Sequence, residues 1–277
     1  MNHWDFTQIP KIAHFYWGVG RLPLSRYLTL WSFKQQNPDW KMRLYRPIAE
    51  DSFGRVYSAN YDGECYMEMA ARICDVEEVD FGVFSMLWDV HKSDLLRWHL
   101  LSTVGGIWSD MDIFYLNPSS NIKTDVPCDG SAVELLLCFD NTHHFHSIGF
   151  IGASQSQVEM REISSASAAM FEKDSYQSIG SHLLGGLGID YAYMKNHAPR
   201  ISNLNFFQIY QLGPWAIEVT HGRKPACLDR SSIVGMHWYA GSPLSEPFQN
   251  ARNVKEISEL GSYLSNAVAE SGYRPGD

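Results

Sequence analysis

The stretch His91–Pro118, HKSDLLRWHLLSTVGGIWSDMDIFYLNP, decides how the rest of the chain is read. Ser93 stands where an N-cap belongs and Asp94 where a helix dipole favours an anion. Leu95, Leu96, Trp98, Leu100 and Leu101 give the predicted helix a broad apolar side that calls for burial. Gly105-Gly106 stops it, because glycine reaches the left-handed geometry of helix ends. Ile107 and Trp108 open an extended run through Ile113, Phe114 and Leu116, which Asn117-Pro118 ends. Asp110 and Asp112 lie inside that run, one residue apart. In a regular strand both carboxylates face one way; in a kinked one they can grip a single cation from two sides.

A bare Asp-x-Asp is a weak signal, and a solvated strand end accounts for it better than a site does. This pair, however, interrupts hydrophobic strands, where unpaired carboxylates cost several kcal/mol unless a metal or hydrogen bonds compensate. Upstream, Asp94 and Arg97 are i,i+3 neighbours on one helix face. As an ordinary surface pair they would contribute at most about 1 kcal/mol.

The run Ser93-Asp94-x-x-Arg97, Gly105-Gly106-x-Trp108-x-Asp110-x-Asp112 and Leu116-x-Pro118 resembles the DXD sugar-binding region of GT-A-fold glycosyltransferases. That family includes the yeast initiating α-1,6-mannosyltransferase, bacterial polysaccharide transferases and, more distantly, the glucosyltransferase domains of large clostridial toxins. Ile9-Pro10-Lys11-Ile12-x-His14-x-x-Trp17 is similar to the family's opening strand, and His237-Trp238 followed by Gly241 and Pro247 to its late metal-binding segment. The resemblance implies a single GT-A-type (Rossmann-like) α/β domain over 1–277. Residues 1–118 would form its nucleotide-sugar half and 119–277 its acceptor half. It implies a nucleoside-diphosphate sugar donor, UDP- or GDP-linked, and a divalent cation, Mn²⁺ or Mg²⁺. Asp112 and His237 would ligate the cation, Asp110 would contact the ribose and the metal shell, and Asp94 and Arg97 would hold sugar hydroxyls. Trp17 would stack on the base and Trp238 would touch the diphosphate. Retention of anomeric configuration is implied as well. An imidazole beside carboxylates suits Mn²⁺ better than Ca²⁺. From the residues alone, Trp17 reads equally as core, and His237 as a satisfied strand histidine. Ile148 and Gln155-Ser156-Gln157 depart from the family pattern on the acceptor side.

Composition bounds the alternatives. At 277 residues, 45% hydrophobic and 13% aromatic, the chain suits one large globular domain. Its net charge of −9, from 22 basic and 31 acidic residues, argues against broad polynucleotide binding. Cys65, Cys74, Cys128, Cys138 and Cys227 are odd in number and widely spaced, so neither a disulfide framework nor a cysteine zinc site is indicated. MNHWDFTQIP lacks the order of a signal peptide, and no apolar run reaches the roughly 18 to 20 residues of a membrane span, so a cytoplasmic protein is expected.

Along the chain, Ile9–Trp17, Ser25–Gln36 and Lys41–Tyr45 give strand, helix and strand, the spacing of a βαβ unit. A mostly parallel central sheet flanked by helices follows, with a nucleotide at its carboxyl edge. His14 reads as packed core. Asp75, Glu77, Glu78 and Asp80 read as a solvated face, and Val133–Phe139 as a buried strand. His143, His144 and His146 invite a metal reading, though their loop spacing is poor ligand geometry. Gln155–Phe171 is a predicted helix, Phe206–Tyr210 and Trp215–Thr220 short strands, and Ser232–Tyr239 the last strand. Val254–Ala269 is read as a surface helix before a frayed terminus.

The function expected is metal-dependent sugar transfer to an acceptor hydroxyl. A glycan acceptor comes first, with a protein side chain and a modified nucleobase behind it. A metal-dependent nucleotide-sugar hydrolase or nucleotidyltransferase competes, and would show a denser carboxylate cluster around two metals. A carbohydrate-binding protein without a metal requirement is the third class.

Overall fold

Strands form where β-branched and aromatic residues can be buried on both faces of a sheet. They are Ile12–Tyr16 (β1), Lys41–Pro47 (β2), Asp75–Val79 (β3), Gly106–Ser109 (β4), Ile113–Tyr115 (β5), Leu135–Leu137 (β6), Phe139–Asp140 (β7), Phe145–His146 (β8), Phe150–Ala153 (β9), Ile201–Asn203 (β10) and Gly235–His237 (β11). The helices are Leu24–Gln36 (α1), Met67–Ile73 (α2), Asp89–Thr103 (α3), Val158–Ala169 (α4), Ser181–Gly186 (α5), Tyr191–Asn196 (α6), Ile217–His221 (α7), Glu246–Gln249 (α8), Val254–Glu259 (α9) and Tyr263–Glu270 (α10). All belong to a computed structural model that describes residues 6–48, 59–124, 132–172, 175–210, 217–222 and 230–276.

Among the described residues seven strands make the central sheet, in the order β10-β6-β9-β4-β1-β2-β3. β1 runs parallel to both β2 and β4, β2 to β3, and β6 to β10, whereas β9 is antiparallel to β4 and β6. The expected mostly parallel sheet is therefore present, and it draws strands from both halves of the chain. Helix α1 covers one face, where Phe33 meets Phe15 edge-on at 5.5 Å. On the other face Trp98 and Leu101 of α3 pack with Met160 and Ile163 of α4. Burying each such side chain contributes roughly 1.5–3 kcal/mol.

The glycine pair does what its spacing predicts. Gly105 has φ +71° at the end of α3, and Gly106 has φ +101° at the start of β4. A Cβ on Gly106 would lie 2.4 Å from the Ile12 carbonyl oxygen, so only glycine lets β4 start this close to β1.

Several local expectations are corrected. Helix α3 begins at Asp89 after Trp88, so Ser93 lies inside it and does not cap it; Asp89, not Asp94, occupies the first turn. The acidic segment is not merely a solvated face but edge strand β3, whose Asp75 and Glu77 pair with Lys41 at 3.0 Å and Arg43 at 3.3 Å across β2. Phe206–Gln208 is a 3₁₀ turn rather than a strand, because the Asn205 side chain accepts the Phe207 N–H and starts a turn. The predicted strand Trp215–Thr220 falls partly on Trp215 and Ala216, outside the described residues; from Ile217 the chain is helix α7. The surface helix is two helices, broken at Gly261 (φ +60°) and restarted by a capping box on Ser262. Helix α10 buries Leu264, Ala267 and Val268, and Tyr273 is buried edge-on to Trp31, while the residues on either side of Tyr273 are exposed. Cys65, Cys74 and Cys138 are free thiols, while Cys128 and Cys227 lie outside the described residues. Among the described residues no helix is long and apolar enough to cross a membrane.

Candidate active site

The acidic pair sits where the chain leaves the sheet. β4 ends at Ser109 and β5 starts at Ile113, so Asp110-Met111-Asp112 is the kink between them. The kink is pinned on both sides: the Asp110 N–H donates to Gly149 O at 2.7 Å, and the Thr29 hydroxyl donates to Met111 O at 3.0 Å. β11 then pairs antiparallel with β5, His237 opposite Ile113, and the Trp238 N–H donates to Asp112 O at 2.9 Å. That register carries an imidazole from far down the chain to the acidic pair. His237 Nε2 lies 3.1 Å from Asp112 Oδ1, and one ligand atom from each of Asp110, Asp112 and His237 falls within 4.8 Å of the others. Among the described residues no other group of three such side chains gathers in this way.

The two carboxylates live in different fields. Asp112 is buried, which by itself opposes ionisation, but the neighbouring His237, Arg26 and the Ala240 N–H hold its carboxyl well below the usual range. Ala240 N–H donates to its second oxygen at 2.9 Å. Asp110 is partly exposed, and its Oδ1 accepts from Arg97 Nη2 at 2.9 Å and from Trp108 Nε1 at 2.8 Å. Arg97 also meets Asp94 at 3.2 Å, and its guanidinium lies over the Trp108 ring at 5.0 Å. Asp94 and Arg97 are thus a buried pair and not an ordinary surface one, and Arg97 links it to the partly exposed Asp110. Burial raises the Asp94 carboxyl to about 7, with Arg97 pulling down and the Asp110 charge pushing up. Two carboxylates and an imidazole, one carboxylate held firmly ionised, make a donor set that fits a divalent cation. His237 Nδ1 is buried without a hydrogen-bond partner, its ring lying between Tyr210 and Tyr239 at 5.0 and 4.3 Å.

Two clefts meet at these carboxylates. One, of about 140 Å³, lies over the carboxyl ends of β1 and β4 and is bordered by Trp17, Arg26, Asp89, Asp110 and Asp112. The other, of about 390 Å³, is bordered by Asp94, Gly149, Tyr210, His237 and Tyr239. Arg97, Asp110 and Asp112 border both. Trp17 edges the first cleft, its indole N–H buried without a partner. Trp238 borders neither: it is fully buried, with Phe248 against it and the Arg26 guanidinium over its face at 4.7 Å. Arg26, which lies over it, does border the first cleft. The histidine cluster disperses: His143 pairs with Asp140 at 2.8 Å, His144 is exposed, and buried His146 bonds the Ile189 carbonyl.

Sequence reasoning did not find Arg26, Asp89, Tyr210 and Tyr239. A cation among the unbroken buried residues 24–33 of α1 was a usable signal for Arg26. Asp89 is fixed by the Tyr16 hydroxyl at 3.2 Å and the Val19 N–H at 3.4 Å, contacts no local pattern reveals.

Residues 28–127 match the family model described as "Glycosyltransferase sugar-binding region containing DXD motif". Comparison with curated protein sequences gives no match. Similar solved structures include the PaToxG glycosyltransferase (13% identity, TM-score 0.46, covering 68% of this chain and 74% of that one). An active-site mutant of LgtC is similar as well (13%, TM-score 0.46, 96% and 98%), as is a glycosyltransferase involved in glycosylation of the major capsid of PBCV-1 (8%, TM-score 0.42, 86% and 97%). The matched residues, 28–127, include the acidic pair, the Asp94–Arg97 couple and the paired glycines, so the likeness to a DXD-containing sugar-binding region rests on the residues that build this site.

Proposed function

We propose that the protein moves a sugar from a nucleoside-diphosphate donor, UDP- or GDP-linked, to a hydroxyl of a glycan acceptor with retention of anomeric configuration. Asp110, Asp112 and His237 would hold Mn²⁺ or Mg²⁺. The observation that carries this reading is the convergence of those three side chains beside a cleft edged by Trp17. A bound dication supplies Lewis-acid neutralisation of the charge on a departing diphosphate. Trp17 presents an aromatic face for the base. Asp94 and Arg97 offer a carboxylate and a rigid fork of donors to the sugar hydroxyls, with Arg97 locked by Asp110 and Trp108. The second cleft, reached across the same carboxylates, takes the acceptor, so the new bond to the anomeric carbon forms on the face from which the diphosphate leaves. No protein nucleophile is then required. Residues 1–118 serve the donor and 119–277 the acceptor, with His237 as the return contribution of the second half.

The test is a thermal-shift screen of nucleoside diphosphates and their sugars with Mn²⁺, followed by NMR of the product's anomeric configuration. Binding of one nucleotide that needs both the metal and Asp112 supports the reading. Metal-independent binding in wild type, or full turnover by Asp112→Asn, would overturn it.

A further inference from the structure

Within this reading of the donor cleft, we infer that Arg26 is the fixed cation that receives the diphosphate. The guanidinium sits on α1, only 4% exposed, yet it borders the cleft. Its carbon lies 5.4 Å from the Trp17 ring and 4.7 Å from the Trp238 ring. Nη2 donates to Gln249 Oε1 at 3.2 Å, and the adjacent Ser25 hydroxyl donates to Gln249 O at 3.1 Å, so α8 sets the position of the group. Two aromatic faces and one amide hold a charge in place before any ligand arrives.

Position and charge specify what this group meets. A base against Trp17 and a cation at Asp110, Asp112 and His237 leave the phosphates to span the interval between them. Arg26 touches the Trp17 end of that interval and lines the same cleft as Asp110 and Asp112 at the other. The second arginine of the cleft, Arg97, is engaged by Asp94 and Asp110. A nucleoside diphosphate carries about three negative charges at neutral pH, more than one dication neutralises, and a buried planar guanidinium suits the remainder. Trp238 then contributes as the platform under Arg26 and not by its own contact. Arg26 is a binding and positioning residue: it makes and breaks no bond.

The experiment measures dissociation constants by calorimetry for UDP, GDP, UMP and GMP, each with Mn²⁺, on wild type, Arg26→Lys and Arg26→Gln. Gln keeps a planar polar group between the two indoles without the charge, and melting curves of each variant are recorded alongside. The quantity read is the preference for diphosphate over monophosphate with the same base, which cancels any general loosening of the cleft. We expect Arg26→Gln to lower that preference by about tenfold or more, and Arg26→Lys to keep most of it. An equal preference in wild type and Arg26→Gln would overturn the assignment while leaving the donor reading intact. If wild type binds none of the four nucleotides, the donor reading fails and Arg26 loses its role with it.

Discussion

Asp112 and Tyr210 show how single side chains in this site carry opposite kinds of consequence. Asp112 accepts from the Ala240 N–H and faces His237. Asp112→Asn keeps the volume and the acceptor but loses the charge. Sugar transfer is expected to fall about a thousandfold, with far-UV circular dichroism unchanged. Mn²⁺ binding followed by electron paramagnetic resonance should weaken in parallel, and a variant that loses activity while binding Mn²⁺ normally would detach Asp112 from the metal. Tyr210 is the reverse case. Its hydroxyl is buried with no partner, and burial pushes it well above the usual tyrosine value. Removing an unsatisfied buried hydroxyl should stabilise the fold by about 1 kcal/mol, so Tyr210→Phe is expected to melt higher. It should also transfer more slowly if that hydroxyl awaits a ligand oxygen. A lower melting point would mean the hydroxyl has a partner in solution.

Elements divide into those whose own residues announce them and those that only tertiary contacts create. Helix α3, the glycine stop and the β4–kink–β5 passage were legible because apolar spacing, paired glycines and a closing Asn-Pro sit within one stretch. Strand β3 was not, because an exposed edge strand made of Asp, Val and Glu has no hydrophobic run, and its partners are the basic residues of β2. The break before α10 hid for a similar reason: one Gly-Ser step interrupts a helical pattern whose apolar side faces inward. At the site, the carboxylates and His237 were readable by type, whereas burial of Trp238 beneath Arg26 depends on α1 and α8 meeting. Strand β1 carries its own pH signature. His14 bonds Tyr45 and the Gly105 carbonyl, and burial, aided by the Arg43 charge, lowers it to about 4 from 6.5. Between those values the unfolded chain takes up a proton that the folded one refuses, so stability falls as pH drops from about 6.5 to 4, by on the order of 3 kcal/mol. His14→Gln, which keeps a donor towards Gly105, should shrink the loss of melting temperature between pH 7 and pH 4.5 by about 5 °C. An unchanged pH profile would show that His14 does not set it.

At the level of the whole molecule, residues 1–118 and 119–277 meet along two antiparallel seams, β4 against β9 and β5 against β11, and Asp110 to Asp112 lie between them. A donor that bridges Trp17 and the Asp110–Asp112–His237 group would tie the first half to the last strand of the second. At a nucleotide concentration a hundred times its dissociation constant, with Mn²⁺, stability should rise by about 2.7 kcal/mol, and the unfolding transition should move up by several degrees. The metal alone, or the nucleotide alone, should move it less. The first seam ends at Gly149, where a single added methyl would sit 2.8 Å from both the Asp110 carboxylate and the Tyr210 hydroxyl. Gly149 borders the second cleft, directly behind the carboxylate that borders both. Gly149→Ala should therefore push on the Asp110 carboxylate and on the second cleft at once, lowering Mn²⁺-dependent nucleotide binding together with transfer, so that one methyl group reports on both chambers.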